Sequence, residues 1–314
     1  MTLQAISGYR QACVRDLAWA LLSPPLLAPA DDDVPWFSPD WCQQVYQDYA
    51  ERLSELDHNP TPLRAYLQAS ADKRLGRHFE SLLHFWLADP ANTRYRLLAH
   101  GLPIRRSKQT LGELDFVVQE WASGEVQHWE VAIRFYLGTR PGGRYSDWIG
   151  IDPSDRLDLK VGHMRQHQLP MSLTPEGQAA LAELGIASCR RACLLKGRLF
   201  YPHDASIETW QPQDACPQHG HGWWLPMQDF PHRFTDPDER WALLPREYRL
   251  ATLTSDVSIG DVMSAAELLE HLPAGFDNCP IAVVGRRDGL ETTRGFLVPP
   301  GWPGTYSSAP KESP

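Results

Sequence analysis

Three strand-like runs joined by very short connections constrain this 314-residue chain more than any other feature. Residues 95–105, 113–121 and 126–137 are rich in leucine, β-branched and aromatic side chains, and Gly112 and Ser123-Gly124 stand between them as turn residues. A parallel pair needs a crossover of a dozen residues or more, so strands joined this tightly form an antiparallel meander. Before them, residues 73–87 place Leu75, Phe79, Leu82, Leu83 and Trp86 at helical spacing, and Asp89-Pro90 ends the pattern. After them come a Gly/Arg/Pro-rich loop over 138–150 and a helical pattern over 155–169. A helix from Thr174-Pro175-Glu176 to Leu184 follows, closed by Gly185, and then a strand pattern over 191–201. The expected fold class is α/β, a mixed sheet in helix-strand-strand-strand-helix-strand order flanked by helices.

The rest of the chain divides around this block. Residues 1–70 read as a helical N-terminal brace interrupted by proline. Its helices are expected over 9–22, over 41–56 behind Ser38-Pro39-Asp40, and over 63–67. Residues 71–202 form the core. Residues 203–314 read as a less regular, Trp-rich extension with Trp210, Trp223, Trp224, Trp241 and Trp302 in loops. It holds a helix over 264–272, strands over 280–284 and 293–298, and a polar tail over 307–314 expected to be disordered.

Composition narrows the function classes. The formal charge of −9 is wrong for a protein that coats nucleic acid through bulk charge. Residues 71–200 nevertheless carry a small basic excess inside an acidic frame, so nucleic acid is an expected partner through local contacts in that region. The Trp-rich C-terminal part suits a protein partner. Six cysteines without a CxxC pair suit a reducing cytoplasm, and no apolar run approaches the ~20 residues that span a bilayer. Cys216, His219 and His221 lack the second paired half of a structural zinc site. Neither a Gly-x-Ser-x-Gly elbow nor a phosphate loop is present, and residues 285–289 read as a turn.

The chemistry lies in acids placed where strands should be apolar. Asp115 interrupts Leu114-Asp115-Phe116-Val117-Val118, and Glu130 interrupts His128-Trp129-Glu130-Val131-Ala132-Ile133. A buried ionised carboxylate costs several kcal/mol unless it is paired or bound to a cation. A hairpin turn centred on Ser123-Gly124 makes Asp115 and Glu130 diagonal neighbours roughly 7–8 Å apart. Two carboxylates at that distance can share a divalent cation, which relieves their repulsion.

Glu80 on the first helix, Asp115 on the second strand and Glu130 on the third, in this element order, resemble the PD-(D/E)XK, or restriction-endonuclease-like, nuclease superfamily. The strings Leu111-Gly112-Glu113-Leu114-Asp115-Phe116 and His128-Trp129-Glu130-Val131-Ala132 look like an uncharacterised bacterial family of domains of unknown function within that superfamily. The resemblance implies a restriction-endonuclease-like core and metal-dependent phosphodiester hydrolysis on DNA or RNA. Asp115 and Glu130 would hold Mg²⁺ or Mn²⁺, with Glu80 completing or orienting the site. The superfamily's lysine stands two residues after the third-strand acid, where this chain has Ala132. Two cations are available in its stead. Arg134 lies on the same strand face as Glu130 and suits a phosphate. Lys160 recurs with Arg156, His163 and His167 on one helix face and suits the attacking water. The alternative is a non-catalytic nucleic-acid or protein-binding module on a degenerate nuclease fold. Arg105, Arg106 and Lys108 form a basic cluster that can track a phosphate backbone.

Overall fold

The computed structural model describes residues 3–29, 35–69, 72, 74–272 and 279–304. Its chain packs as two compact units. Unit 1 comprises Met1–Arg134, Lys160–Gly197 and Asp214–His219; unit 2 comprises Phe135–Leu159, Arg198–Gln213 and Gly220–Pro314. The described residues of 1–70, expected as a brace, pack within unit 1, and 135–159, expected in the core, pack within unit 2. The 307–314 tail lies outside the described residues.

Unit 1 begins with a 3-10 turn, Leu3–Gly8, followed by α1 (Ala12–Leu22), α2 (Pro39–Asp48), α3 (Ala50–His58) and α4 (Thr61–Gln68). Ser38 caps α2 by accepting from Trp41 N at 3.1 Å. The single helix expected over 41–56 is two, broken at Tyr49 (φ −111°, ψ 7°). The break lets α2 bury Cys42, Val45 and Tyr46 while α3 buries Leu53 and Leu56. Lys196, fully buried, closes the end of α1: its Nζ donates to Ala20 O (2.6 Å) and Leu21 O (2.9 Å), carbonyls left open in the last turn.

The expected elements follow. They are α5 (Leu75–Ala88), β1 (Tyr95–Arg106), β2 (Gln109–Glu120), β3 (Val126–Gly138), a two-residue β4 (Trp148–Ile149), α6 (Leu157–His163), α7 (Pro175–Glu183) and β5 (Arg190–Pro202). In unit 1 the strand order is β1-β2-β3-β5, with β1–β2 and β2–β3 antiparallel. Trp129 packs its ring against Phe37, Trp41, Trp86 and Tyr95, which ties α2 and α5 to one face of β3. Strand alternation sends His128 and Glu130 to the other face. β5 lies against β3 at Gly197 (φ 139°), where a Cβ would lie 1.7 Å from Arg134 O.

Within this block, two expectations need correction. The helix expected over 155–169 is α-helical only as α6; Met164–Gln168 widens into a π turn and Leu169–Leu173 tightens into a 3-10 turn. Pro170, which has no N–H, sits in the last of these and cannot continue an α ladder. The β2–β3 register also differs. It pairs Phe116 with Trp129 and Val117 with His128, and continued by one residue it sets Asp115 directly opposite Glu130 rather than diagonal to it. All of residues 121–124 lie in the loop, with Gly124 (φ 73°) donating to Glu120 O at 2.8 Å. The hairpin centre therefore falls one residue earlier than a turn at Ser123-Gly124 predicts.

Unit 2 contains β6 (His221–Pro226), β7 (Arg240–Leu243), β8 (Ile281–Arg287) and β9 (Leu290–Val298). β6 pairs in parallel with the end of β5 and with β9, whereas β8 runs antiparallel to β9 and β7, so the sheet here is mixed. Trp223 and Trp224 lie in β6 and Trp241 in β7, not in loops; strands this short carry too little alternation to read. Trp210 ends a short helix, Ile207–Trp210. The helix expected over 264–272 is Ala265–Glu270, opened by a Ser264–Glu267 capping box. Asp288 and Gly289, both at positive φ, form the expected turn between β8 and β9. Among the described residues no helix is long and apolar enough to cross a membrane.

Candidate active site

The acidic pair lies wholly in unit 1. Glu130 is completely buried on β3, and Asp115, facing it from β2, is partly exposed. Asp115 Oδ2 accepts from Val131 N at 2.9 Å, which fixes the carboxylate across the strand pair. His128, two residues before Glu130 and equally buried, places Nε2 2.8 Å from Glu130 Oε1. The other oxygen, Oε2, accepts from Gln168 Nε2 at 2.6 Å. Gln168 Oε1 in turn accepts from Lys160 Nζ at 2.9 Å and lies 3.1 Å from His163 Nδ1. Lys160 therefore reaches Glu130 through one amide.

These placements set the protonation states. Burial, then the charge of Glu130, pushes the Asp115 carboxyl up to about 8. Burial pushes Glu130 up to about 7, opposed by Lys160 and by a hydrogen bond with Asp115. The pair thus holds about one proton at neutral pH, because two adjacent carboxylates, one buried and one partly exposed, resist ionising together. Burial depresses His128 to about 4, so its ring is neutral and its Nε2–H donates to ionised Glu130. His128 Nδ1 is buried with no hydrogen-bond partner among the described residues. Lys160 is pushed below its usual value by burial and by Arg134, against the pull of Glu130 and Asp115.

The remaining expected residues lie around this centre. Glu80 on α5 binds Arg77 NH1 at 2.5 Å, and Arg77 NH2 also reaches Glu113 Oε1 at 3.4 Å. Glu80 acts on Asp115, and Glu113 on Glu130, only at a distance, through their charge. Arg134 is half-buried, donates to Ile133 O at 2.9 Å, and lies near enough to Lys160 to depress it. Arg156, expected on the Lys160 face, is ion-paired with Asp158 at 2.6 Å. Arg105 and Arg106 end β1 beside the Ser107-Lys108 turn, with Arg106 bound to Glu176 at 2.6 Å. Among the described residues no group of three or more His, Cys, Asp or Glu side chains is arranged to hold a metal ion.

Two residues of the centre escaped the reading of the sequence. His128 was legible, since period-two alternation puts it on the Glu130 face. Gln168 was not, because a π turn rather than an α-helix brings it back beside Lys160.

No curated protein and no solved structure matches this chain. One family does, over residues 15–298, a span that takes in all of these side chains. By that match the chain belongs to DUF1853, described as a domain of unknown function.

Proposed function

We propose that the protein is a divalent-metal-dependent phosphodiesterase, a nuclease acting on DNA or RNA on a restriction-endonuclease-like core. The observation that carries the reading is the Asp115–Glu130 pair. It consists of two carboxylates held face to face on adjacent strands, both raised toward neutrality, with a lysine linked to one of them through Gln168. The donors suit Mg²⁺ or Mn²⁺, hard cations that take carboxylate oxygens, and an ionised carboxylate keeps lone pairs beyond those its protein donors use. When bound, such a cation supplies charge neutralisation and acidifies water to a nucleophile. Asp115 and Glu130 would hold it, with Glu80 supporting from α5. Lys160, its proton affinity lowered by burial, orients or deprotonates the attacking water, and the Arg134 guanidinium clamps the phosphate.

Purified protein is expected to cleave a mixed DNA and RNA panel only with Mg²⁺ or Mn²⁺, and to lose that activity on Asp115→Asn. Metal-independent cleavage, or none at all, would refute the reading. Ala132, at the position of the superfamily's lysine, favours a second reading: a binding module that retains the fold without the chemistry. Nucleic-acid binding without cleavage in any divalent metal would select it.

A further inference from the structure

Unit 2 holds a second site of different character, a cleft of about 410 Å³ lined in part by Arg198, His203, His221, Trp223, Thr293 and Arg294. That volume falls within the range of small-molecule pockets. At its base the charges do not balance. Four of the five N–H donors of Arg294 are engaged: Nε and NH2 bind Glu291 at 2.5 and 2.6 Å, NH1 donates to Arg249 O at 2.9 Å, and NH2 donates to Ala251 O at 2.8 Å. Glu291 also accepts from Leu253 N at 2.7 Å. Its carboxylate is thus committed to Arg294.

Arg198 has no carboxylate hydrogen-bonded to it, and Glu291 attracts it only at a distance. It is 7% exposed, its NH2 reaches only the Leu250 carbonyl at 3.1 Å, and its Nε is buried without a hydrogen-bond partner among the described residues. A third guanidinium, Arg249, is also close enough to Arg294 to repel it. Burial and the neighbouring Arg294 push Arg198 down to about 9, against the pull of Glu291. A guanidinium does not shed its proton near neutrality, so it cannot resolve the conflict as a lysine would. An anion entering the cleft resolves it.

We propose that this cleft binds a phosphate monoester, with the Arg198 guanidinium as its buried cation. A guanidinium fork matches phosphate oxygens, and a tetrahedral oxyanion has acceptors left for donors in other directions. Thr293 supplies one: its Oγ1 accepts from Trp223 Nε1 at 2.8 Å, which leaves the hydroxyl proton to donate. The volume beyond Arg198 exceeds what a phosphate alone fills, and the Trp223 and His203 rings, 5.9 Å apart, wall it with flat surface. The phosphate can arrive on a small molecule or on a nucleic-acid 5′ end.

Calorimetric titration of the full chain tests this with inorganic phosphate, a mononucleotide, and matched 5′-phosphorylated and 5′-hydroxyl oligonucleotides, all at constant ionic strength. Saturable phosphate binding is expected, weakened at least tenfold by Arg198→Met and unchanged by Asp115→Asn, which separates this site from the acidic pair. A preference for the 5′-phosphorylated oligonucleotide over both the mononucleotide and the 5′-hydroxyl form assigns the nucleic-acid source; a preference for the mononucleotide assigns the small-molecule source. If Arg198→Met does not fold, Arg198→Lys and Thr293→Ala take its place, each with an expected loss of at least threefold. The proposal is overturned if the wild type shows no phosphate binding, or if the folded variants bind as tightly as it does.

Discussion

Asp115 and Glu130 build a pH dependence into unit 1. Their carboxyls are raised to about 8 and about 7, so between the usual carboxylate range and those values the folded chain binds more protons than the unfolded one. Their stabilising effect is therefore complete at low pH and is lost as pH rises through the folded values. His128 acts in the opposite sense. Its depressed pKa, about 4, means that the unfolded chain binds more protons up to about 6.5, so stability rises with pH over that interval. The two trends oppose each other below 6.5, and above it the carboxyls act without His128. In chelator, stability is expected to fall between pH 6.5 and 8 by on the order of 1 kcal/mol per pH unit. Denaturant titrations across that range should show the decline flattened in Asp115→Asn; equal slopes would show that the pair is not proton-coupled. Divalent-metal affinity should rise through the same window, since the cation displaces a proton.

A second prediction at this scale concerns Lys160 and Gln168. Lys160→Met is expected to lower the cleavage rate by about 10²–10⁴ with melting unchanged. Gln168→Leu, which leaves the lysine in place but unoriented, is expected to cost less, about tenfold. Single-turnover rates beside melting curves measure both, and a Lys160→Met variant of normal rate would remove the lysine from the reaction.

The elements divide by how local their causes are. β1, β2 and β3 were legible because adjacent residues write their alternation and turns. α5 was legible because its stripe from Leu75 to Trp86 is continuous. The break at Tyr49 and the π turn ending at Gln168 were not, since each follows from what the segment packs against rather than from its own pattern. The hairpin register was misread for a smaller reason: a four-residue loop and a two-residue turn contain the same Ser-Gly signal, and the one-residue difference in centre changes a diagonal acid pair into a facing one. The junction of β3 and β5 gives the element-scale test. Gly197 combines φ 139° with the Arg134 carbonyl where a Cβ would stand, so Gly197→Ala forces the two strands apart. A loss of more than about 3 kcal/mol, or no folded protein, is expected. Near wild-type stability would show that the strands approach less closely than this.

At the scale of the whole molecule, charge decides how a nucleic acid can be met. With a formal −9, the chain as a whole repels a polyanion, so affinity has to come from a few phosphate contacts within screening distance. The exposed tip of the β1–β2 hairpin is the natural place: Arg105 and Lys108 project there, while Arg106 is partly neutralised by Glu176. Each phosphate contact to duplex DNA contributes about 0.9 to the slope of log affinity against log salt. Replacing Arg105, Arg106 and Lys108 by alanine should therefore lower that slope by about 2 rather than 3, because the Arg106 contact must first displace a carboxylate. Melting should stay unchanged, since no core residue is touched. Binding isotherms at several salt concentrations, in a metal-free buffer that prevents cleavage, give the slopes for both proteins. An unchanged slope would take the hairpin out of the interface and require another basic surface to hold the strand, whereas a drop of the expected size would place the backbone along the edge of the strands that carry Asp115 and Glu130.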